Sequence, residues 1–516
     1  MKSPDAPEYC LGIAGLGAMG QGIAQVAAMG GVRVRLLDAR AGAADAARKA
    51  VAARIDRLVE KGRLGTEAAA AAIACLEPVE SVADLAPADA IVEAVYEDLE
   101  LKRRLFAEIE AAVGPDCLIA SNTSSIPIAA IARGCARRER IAGLHFFNPV
   151  PLMKLVEVIR AAETSDETVA ALTALGRRMT RTPVTVKDSP GFLVNMGGRA
   201  FTTEALRIAH ERIAAPAEID AIMRDCWGYR MGPFELMDLT GIDVNYPVSQ
   251  IVWEGYQRDP RLATSPNHKA MFDAGLLGRK TGQGWYRYAE GKPVDAPSPD
   301  HVTAEPPARR VALAPYDAAL AEVQEPAAGV DPARLAAFCA EIGLEIGPDD
   351  GICPILAAPV GQDASHLAAE ARLDPRRLVC LDLLGDTHAR VTIMTAPGAD
   401  PSIRGAVAAA IAGSRRRVTA IADSAGFVGQ RISAMVANLG CYMAEIGLAS
   451  PGDVDTAMQL GLNYPRGPLG LTDHLGPAAV HEILDHLQAS TGDPRYRPTP
   501  WLTRRALLGL PATTEA

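Results

Sequence analysis

The sequence lacks the patterns that mark several classes of protein. It contains no long run of lysine and arginine, and acidic residues outnumber basic ones by 62 to 52, for a net charge of −10 over 516 residues. This balance argues against a nucleic-acid partner. The nine cysteines are scattered singly, without CxxC pairs or the spacing of metal ligands. We therefore expect no metal site and a reducing compartment.

Two further absences concern membranes and secretion. No apolar stretch approaches the roughly 20 residues that span a bilayer. The amino terminus, MKSPDAPEYC, has neither the apolar core of a signal peptide nor the arginine-rich character of a transit peptide. We expect a cytoplasmic protein with no membrane partner. Apolar residues form 49% of the chain and charged residues 22%, as in ordinary globular enzymes, and the length suggests about three or four domains.

The chain begins with alternating strand and helix patterns. YCLGIAG (9–15) and VRVRLLD (32–38) are short apolar runs on either side of a helical pattern, which predicts a βαβ unit. Further strand-like runs lie at 90–95, 117–122, 141–147, 155–159 and 183–188. Because helix-like segments separate most of them, the fold class is predicted as α/β with a doubly wound sheet.

The rest of the chain divides by composition and by repetition. After DSPGF (188–192) the pattern becomes mainly helical, and GKPVDAPSPDHVTAEPPA is typical of an exposed linker. We predict five parts: an α/β domain, a helical domain, the linker, a degenerate α/β segment and a second helical domain, at residues 1–187, 188–290, 291–308, 309–422 and 423–516.

An internal repeat supports this division. DSPGF at 188 returns as DSAGF at 423, and GYRMGPFELMDLTG at 228 returns as NYPRGPLGLTDHLG at 463, so that both motifs are displaced by the same offset. A shared offset over this length indicates a duplicated helical domain. Upstream, RRLVCLDLL (376–384) resembles ERIAGLHFF (139–147), so the end of the α/β domain is repeated as well.

A glycine pattern lies between the first strand and the first helix. Gly15, Gly17 and Gly20 form GxGxxG in the context that a dinucleotide-binding loop requires. Asp38 ends the next strand, where its carboxylate can bind a ribose 2′-hydroxyl and repel a 2′-phosphate. NAD is therefore the expected cofactor, although Arg40 nearby offers a group that accepts a phosphate.

His145 stands in an apolar strand, where a lone histidine is commonly a structural ring. Glu157 lies on the following strand, where a buried carboxylate needs a cationic partner. If the two meet, the carboxylate fixes the imidazole tautomer and leaves the other nitrogen to accept a proton. In SNTSS, Asn122 and Ser124 can supply hydrogen bonds at the edge where such sheets bind ligands, or simply form a turn.

The motifs GLGAMGQGIA, VEAVYEDLELK, ASNTSS, GLHFFNPVPLMKLVEV, DSPGFLVN and GPFELMDLTGID, in this order, closely resemble the 3-hydroxyacyl-CoA dehydrogenase family over residues 9–288. The resemblance implies NAD-dependent oxidation of an L-3-hydroxyacyl-CoA to the 3-ketoacyl-CoA, a step of the β-oxidation type. It implies that His145 is the base and Glu157 its partner, with Ser124 and Asn195 holding substrate oxygens. Further residues would contact the cofactor, namely Asn122, Glu97 and Lys102.

The sequence departs from the family pattern after PGFLVN, where Met196, Gly197 and Gly198 follow. Two glycines weaken a helix start, so the helix is expected to begin late. Two other functions stay open: a silent protein that binds NAD or acyl-CoA, and an enzyme for free 3-hydroxy acids. A surface for CoA would discriminate, and Lys61 and Arg63 are candidates to bind its phosphates.

The duplicated half is expected to hold no second active site. At the positions of His145, Glu157 and Asn195 it carries Asp382, Thr392 and Gln430, and no GxGxxG occurs after the linker. The family resemblance implies that the helical domain forms the dimer interface in shorter members. The two copies are therefore predicted to pack as an intramolecular pseudo-dimer, with a homodimer of chains also possible.

Overall fold

The computed structural model describes residues 1–294, 296–314 and 332–515. These residues form two compact units. Unit 1 comprises residues 1–196 and 447–462, and unit 2 comprises residues 197–446 and 463–516. In the described part of the chain, no helix combines the length and apolar character needed to cross a bilayer. The two units do not correspond to the five domains, and the division into five domains stays a prediction.

Strands and helices alternate through the amino-terminal part of the chain: β1 (Cys10–Ala14), α1 (Ala18–Met29), β2 (Arg33–Leu37), α2 (Ala43–Glu60), α3 (Thr66–Ala74), β3 (Leu76–Pro78), β4 (Ala90–Glu93), α4 (Leu99–Ala112), β5 (Leu118–Ser121), α5 (Ile128–Ala132), β6 (Ile141–Phe146), β7 (Leu155–Arg160), α6 (Asp166–Arg178), β8 (Thr182–Lys187) and α7 (Val194–Gly197). The remaining elements are α8 (Arg199–His210), α9 (Pro216–Trp227), α10 (Pro233–Thr240), α11 (Ile242–Gly255), α12 (Pro266–Asp273), β9 (Arg287–Ala289), β10 (Lys292–Val294), β11 (Arg310–Leu313), α13 (Pro332–Glu341), β12 (Glu345–Ile346), β13 (Ile355–Ala357), α14 (Ala364–Glu370), β14 (Leu378–Asp382), β15 (Arg390–Met394), α15 (Pro401–Gly413), β16 (Arg417–Ile421), α16 (Gly429–Glu445), α17 (Pro451–Leu462), α18 (Pro468–Leu475), α19 (Pro477–Thr491) and α20 (Pro500–Leu508).

Unit 1 contains an eight-stranded sheet with the strand order β3-β2-β1-β4-β5-β6-β7-β8. Strands β1 to β6 are parallel, whereas β7 is antiparallel to β6 and parallel to β8. All residues of β1, β4, β5 and β6 are buried. Helices cover both faces of such a sheet, which explains why these strands are continuous apolar runs. The predicted α/β fold with a doubly wound sheet is confirmed.

A shorter sheet of six strands lies in unit 2, with the order β12-β11-β13-β14-β15-β16. Its antiparallel pair is again flanked by parallel strands, because β14 is antiparallel to β15 while β13 and β16 run parallel to their neighbours. Strands β14 to β16 therefore repeat β6 to β8. We predicted from the sequence that no cofactor-binding loop follows β11. This prediction falls partly on residues 315–331, which lie outside the described ranges.

The two helical copies meet in unit 2 through equivalent elements. Helix α8 of the first copy packs against α16 of the second. Tyr229 and Tyr464, which occupy equivalent positions of the repeat, form an edge-to-face ring pair with centroids 5.3 Å apart. A buried ion pair joins the same helices, because Nε of Arg431 lies 2.5 Å from Oε1 of Glu204. The hydroxyl of Tyr496 donates to the same carboxylate oxygen at 2.8 Å.

One pair of equivalent helices is exchanged between the sheets. Helix α9 of the first copy packs against β15 of the second sheet, whereas α17 of the second copy packs against β7 and β8 of the first sheet. The backbone N–H of Lys187 in β8 donates to the carbonyl of Leu448, just before α17, at 2.9 Å. Each sheet is therefore covered in part by a helix from the other half of the sequence.

The segment predicted as a linker, 291–308, begins with β10, which forms a hairpin with β9. Much of it is exposed, but it is attached to the second sheet. The N–H of His301 donates to the carbonyl of Val418 at 2.7 Å, and Nη2 of Arg390 lies 2.8 Å from a carboxylate oxygen of Asp300. The segment thus runs along the second sheet.

Candidate active site

The glycine loop between β1 and α1 is shaped for the close approach of a ligand. Gly15 has a φ of +98°, and a Cβ there would lie 2.7 Å from the backbone of Ala94. A Cβ at Gly20 would lie 1.9 Å from the carbonyl oxygen of Gly15, whereas Gly17 is exposed and has open space at this position. Packing requires Gly15 and Gly20, and Gly17 leaves its backbone accessible to a bound pyrophosphate.

Asp38 lies at the end of β2, next to this loop. One carboxylate oxygen accepts the N–H of Leu16 at 2.9 Å, and the guanidinium of Arg40 binds both oxygens at 2.9 and 3.2 Å. These hydrogen bonds, chiefly that of Arg40, hold the pKa of Asp38 below its usual value. A cavity of about 370 Å³ is lined by Gly15, Asp38 and Val95 among others. This arrangement fits the adenosine half of NAD, whose ribose hydroxyls can donate to the carboxylate.

The loop after β5 is held by Glu97. One oxygen of this carboxylate accepts hydrogen bonds from Oγ1 of Thr123 at 2.6 Å and from the backbone N–H of Ser124 and Ser125 at 3.0 and 3.2 Å. The other oxygen lies 3.2 Å from Nζ of Lys102. Although burial raises the pKa of Glu97, Thr123 and Lys102 together bring it below the ordinary value. The ionised carboxylate thus orients the loop that carries Ser124.

Glu93 is a buried carboxylate of the candidate site that the sequence analysis did not identify. It ends β4 and is fully buried, and its oxygens accept from Nζ of Lys102 and from Oγ of Ser121, each at 2.7 Å. Lys102 is only 1% exposed, so its ammonium is shared between Glu93 and Glu97. The sequence signal that could have identified Glu93 is a carboxylate at the end of an apolar strand. The cofactor contacts expected of Lys102 and Glu97 stay predictions.

His145 and Glu157 lie opposite each other in the register of the antiparallel pair β6–β7. Nδ1 of His145 is 2.6 Å from Oε2 of Glu157, and the two residues are 6% and 0% exposed. The second oxygen of Glu157 accepts the N–H groups of Leu193 and Val194 at 3.1 and 2.9 Å. Because an ionised carboxylate only accepts, Nδ1 carries the hydrogen and Nε2 is left as a proton acceptor.

The surroundings of His145 come from neighbouring loops. The ring of Phe147 lies 4.5 Å from the imidazole and that of Phe192 lies 5.9 Å away, measured between centroids. Oδ1 of Asn122 accepts the N–H of Phe146 at 2.8 Å, which fixes the end of β6 to β5. Phe147 and Phe192 were also missed by the sequence analysis, since an aromatic ring carries no signal apart from its neighbours in space.

Ser124 and Asn195 are brought together. Ser124 is exposed, and its carbonyl accepts Nδ2 of Asn195 at 3.2 Å. Asn195 lies in the short helix α7, and the long helix α8 begins only after Gly198, which agrees with the expected late start. Lys61 and Arg63 lie exposed after α2, and their contact with CoA stays a prediction.

The second sheet repeats this geometry without a histidine. Asp382 and Thr392 are paired in register, as predicted from their positions in the repeat. Nε2 of Gln430 donates to Oδ1 of Asp382 at 3.0 Å and to the carbonyl of Pro359 at 3.2 Å. Burial raises the pKa of Asp382 above the ordinary value. The amide of Gln430 thus hydrogen-bonds the carboxyl group that stands at the position of His145.

Comparison with known proteins places this site in a family. The sequence model of the 3-hydroxyacyl-CoA dehydrogenase NAD-binding domain matches residues 10–189, and that of the C-terminal domain matches 191–288 and 426–515. The chain belongs to the 3-hydroxyacyl-CoA dehydrogenase family. It is therefore an NAD-dependent oxidoreductase that acts on the CH–OH group of a 3-hydroxyacyl-CoA. The second match of the C-terminal domain confirms that the helical domain is duplicated.

Relatives of this dehydrogenase include both long and short chains. A 3-hydroxyadipyl-CoA dehydrogenase of Escherichia coli K12 is 36% identical over 96% of this chain and 97% of its own. A crystal structure of a 3-hydroxybutyryl-CoA dehydrogenase from Escherichia coli K12 is 34% identical, covers 97% of this chain and 98% of its own, and gives a TM-score of 0.83. A probable 3-hydroxybutyryl-CoA dehydrogenase of Deinococcus radiodurans is 39% identical over 54% of this chain and 99% of its own. A short dehydrogenase thus corresponds to about the first half.

Proposed function

We propose that His145 is the general base of the reaction and that Glu157 orients it. The observation that carries this proposal is the 2.6 Å contact of Nδ1 with a carboxylate whose other oxygen is already engaged. Nε2 takes the proton of the C3 hydroxyl as the C3–O bond becomes a carbonyl, and the adjacent carboxylate stabilises the imidazolium. Bound NAD supplies the acceptor for the hydride that leaves C3.

Other residues bind and position the reactants. The loop of Gly15, Gly17 and Gly20 binds the pyrophosphate, and Asp38 binds the adenine ribose. The exposed Ser124 hydroxyl and the Asn195 amide bind the substrate oxygens. The hydrogen bond from Nδ2 of Asn195 to the backbone carbonyl of Ser124, at 3.2 Å, holds the two residues together and supports a shared role. Glu97, Lys102 and Asn122 would contact bound NAD, and the Lys102–Glu97 ion pair and the bond from the N–H of Phe146 to Asn122 support this by fixing the ends of neighbouring strands.

Replacement of His145 by glutamine tests the assignment. We expect kcat to fall by at least about a hundredfold while the affinity for NAD hardly changes, since loss of a general base typically costs 10² to 10⁴ in rate. The matched control is His388→Gln, because His388 is exposed and lies far along the chain in the second half. Near-normal turnover in the His145 variant would show that His145 is a structural residue and not the general base.

We propose that the substrates include 3-hydroxyadipyl-CoA and 3-hydroxybutyryl-CoA, in a pathway of fatty-acid or aromatic-acid β-oxidation. The long relative named 3-hydroxyadipyl-CoA dehydrogenase supports this proposal. NADH formation should be measured on 3-hydroxyacyl-CoAs from four carbons to long chains, with 3-hydroxyadipyl-CoA and free 3-hydroxybutyrate included. Turnover of free 3-hydroxybutyrate alone would indicate an enzyme for free 3-hydroxy acids. NAD binding without turnover of any substrate would indicate a binding protein without catalytic activity.

We infer that each chain has one active site and that the two helical copies form an intramolecular pseudo-dimer. The packing of α8 on α16, the facing pair Tyr229 and Tyr464, and the Arg431–Glu204 ion pair support it. Calorimetric titration with NADH should give one site per chain. Deletion of residues 309–516 should leave a poorly soluble protein, because α8 loses its partner. Two equivalent sites, or an active monodisperse truncation, would disprove this account.

We further propose a cytoplasmic location. Cysteines such as Cys10, Cys117 and Cys380 are buried free thiols, which is usual in a reducing compartment. Whether two chains associate into a homodimer is a separate question that sedimentation of the full-length protein answers.

A further inference from the structure

A second cavity lies within unit 2. It has a volume of about 550 Å³, and its walls come from the end of α9, the loop after β14, and helix α18 with the loop that precedes it. The N–H of Asp386 donates to the carbonyl of Cys226 at 2.8 Å, which joins two of these walls. Its volume lies in the range of small-molecule sites, about 300 to 1,000 Å³.

The position of this cavity in the repeat is informative. The loop after β14 begins directly after Asp382, just as the loop after β6 begins after the strand that carries His145. The cavity therefore opens at the degenerate counterpart of the catalytic position. Because Asp382 is bonded to Gln430 and is paired with Thr392, the second sheet lacks the histidine–glutamate pair of the first.

The cavity carries basic groups that form no ion pair with a carboxylate of the described residues, although the charge of Arg334 acts on the buried Asp382. Within the described ranges, no carboxylate forms an ion pair with Arg334 or Arg466, and Nη2 of Arg334 reaches only the carbonyl of Gly385, at 3.5 Å. Two carboxylates lie in the wall: Asp225 is 2.9 Å from Arg390 and 3.0 Å from Arg417, and one oxygen of Asp386 accepts the N–H of His388 at 2.8 Å. Burial and the charge of Arg466 lower the pKa of the third basic residue, His474. The two free guanidinium groups thus favour an anion.

Apolar side chains form the rest of the wall. Trp227 is 8% exposed, and Leu384, Leu471 and Leu475 lie around the same space. A bare inorganic ion would leave these surfaces without a partner. A ligand that joins an apolar chain to an anionic group matches both parts of the wall.

Comparison of the two helical copies shows that the basic groups belong to the second half. At the constant offset of the repeat, Arg466 corresponds to Met231 and His474 corresponds to Leu239. The first copy therefore has apolar side chains at both positions, although the motif around them is repeated. This difference supplies a natural pair of test substitutions.

We infer that this cavity is a second, non-catalytic binding site for an acyl-CoA, in which Arg334 and Arg466 bind a phosphate or carboxylate and the apolar chain lies against Trp227. The choice of an acyl-CoA rests on the proposed function, whereas the choice of an organic anion rests on the wall residues alone. The phosphate and the carboxylate are distinguished by competition.

The test is equilibrium dialysis of full-length protein with radiolabelled acetoacetyl-CoA, without NAD or NADH so that no turnover occurs. We expect two equivalents bound per chain. In the double variant Arg466→Met and His474→Leu, which restores the residues of the first copy, the second equivalent should bind at least about tenfold more weakly because a charged hydrogen bond is lost. Arg334→Ala should act in the same direction, and Arg504→Met, an exposed arginine outside the cavity, should not.

Competition identifies the anionic group. Displacement of the second equivalent by CoA indicates that the phosphates are bound, since these are the only anionic groups of acetoacetyl-CoA, and displacement by adipate indicates that a carboxylate can occupy the same basic groups. One equivalent in both the wild type and the double variant would overturn this inference and leave the proposed function intact. No acetoacetyl-CoA binding in either protein, with normal melting curves, would overturn both. Because Arg466 and His474 are exposed, we expect the double variant to fold and to keep its dehydrogenase activity.

Discussion

Replacement of Glu157 by glutamine changes one charge at the candidate site and almost no volume. In the native protein one oxygen of Glu157 accepts the N–H groups of Leu193 and Val194, and the other lies 2.6 Å from Nδ1 of His145. A glutamine has a single oxygen. It must face the two N–H groups, because a buried donor without an acceptor costs about 1 to 3 kcal/mol. The amide nitrogen is then left facing the imidazole.

This orientation reverses the tautomer of His145. An amide nitrogen donates a hydrogen, so Nδ1 must accept it and the proton moves to Nε2. A protonated Nε2 on a neutral ring cannot take the proton of a hydroxyl. We expect kcat to fall by about 10² to 10⁴, the usual range for loss of general-base catalysis. At about 1.36 kcal/mol per factor of ten, this equals roughly 3 to 5 kcal/mol of transition-state stabilisation.

The assay is steady-state NADH formation for Glu157→Gln, for His145→Gln and for the double variant. Because Glu157 acts through His145, the double variant should be no slower than His145→Gln alone. Melting curves and NADH titration verify that fold and cofactor binding are kept. A kcat for Glu157→Gln within about fivefold of the wild type, or a double variant whose losses multiply, would refute the reasoning.

Two further predictions concern other parts of the chain. Gly20→Ala should destabilise the protein and abolish NAD binding, since its Cβ would lie 1.9 Å from a carbonyl oxygen. Gly17→Ala should fold normally and weaken only NAD binding, because there is open space at this position. Equal melting temperatures of the two variants would contradict this prediction. Burial and the neighbouring Asp485 raise the pKa of Glu482 to about 7. Between the ordinary value of 4.5 and about 7 the folded chain keeps a proton that the unfolded chain has lost, so stability declines as pH rises through this window. Glu482→Gln should therefore raise the melting temperature at pH 8 and hardly change it at pH 5, and an equal shift at both values would disprove it.

Local patterns in the sequence were sufficient for much of unit 1. Apolar runs located the strands that became β1, β2 and β4 to β8, and the glycine spacing located the loop before α1. The pairing of His145 with Glu157 was a conditional hypothesis, since strand register is set by packing that a sequence does not display. The weaker upstream match, which needs small shifts from the repeat offset, placed Asp382 and Thr392 at the positions of His145 and Glu157, and these two residues are also paired in register.

What the sequence could not predict depends on contacts between distant segments. Glu93 and Ser121 are 28 residues apart, and their hydrogen bond requires β4 and β5 to be neighbours. The attachment of residues 291–308 along the second sheet was missed because a composition rich in proline and polar groups also suits a free linker. The exchange of α9 and α17 depends on two properties of the folded chain: which surfaces are apolar, and which of them each helix can reach. The local sequence pattern of a helix shows neither property.

The exchange of α9 and α17 has a consequence for how this chain can evolve. In a dimer of identical subunits, one mutation alters both sides of the interface and both sites at once. Here each equivalent position is encoded twice, so Arg466 can differ from Met231 and Asp382 can differ from His145. Since α17 packs on the sheet that carries His145, the second copy has a structural task in the first half that does not depend on a histidine of its own. Within one chain, substitutions in one copy can therefore accumulate without changing the other, while the packing of α17 on the first sheet keeps the two copies structurally linked.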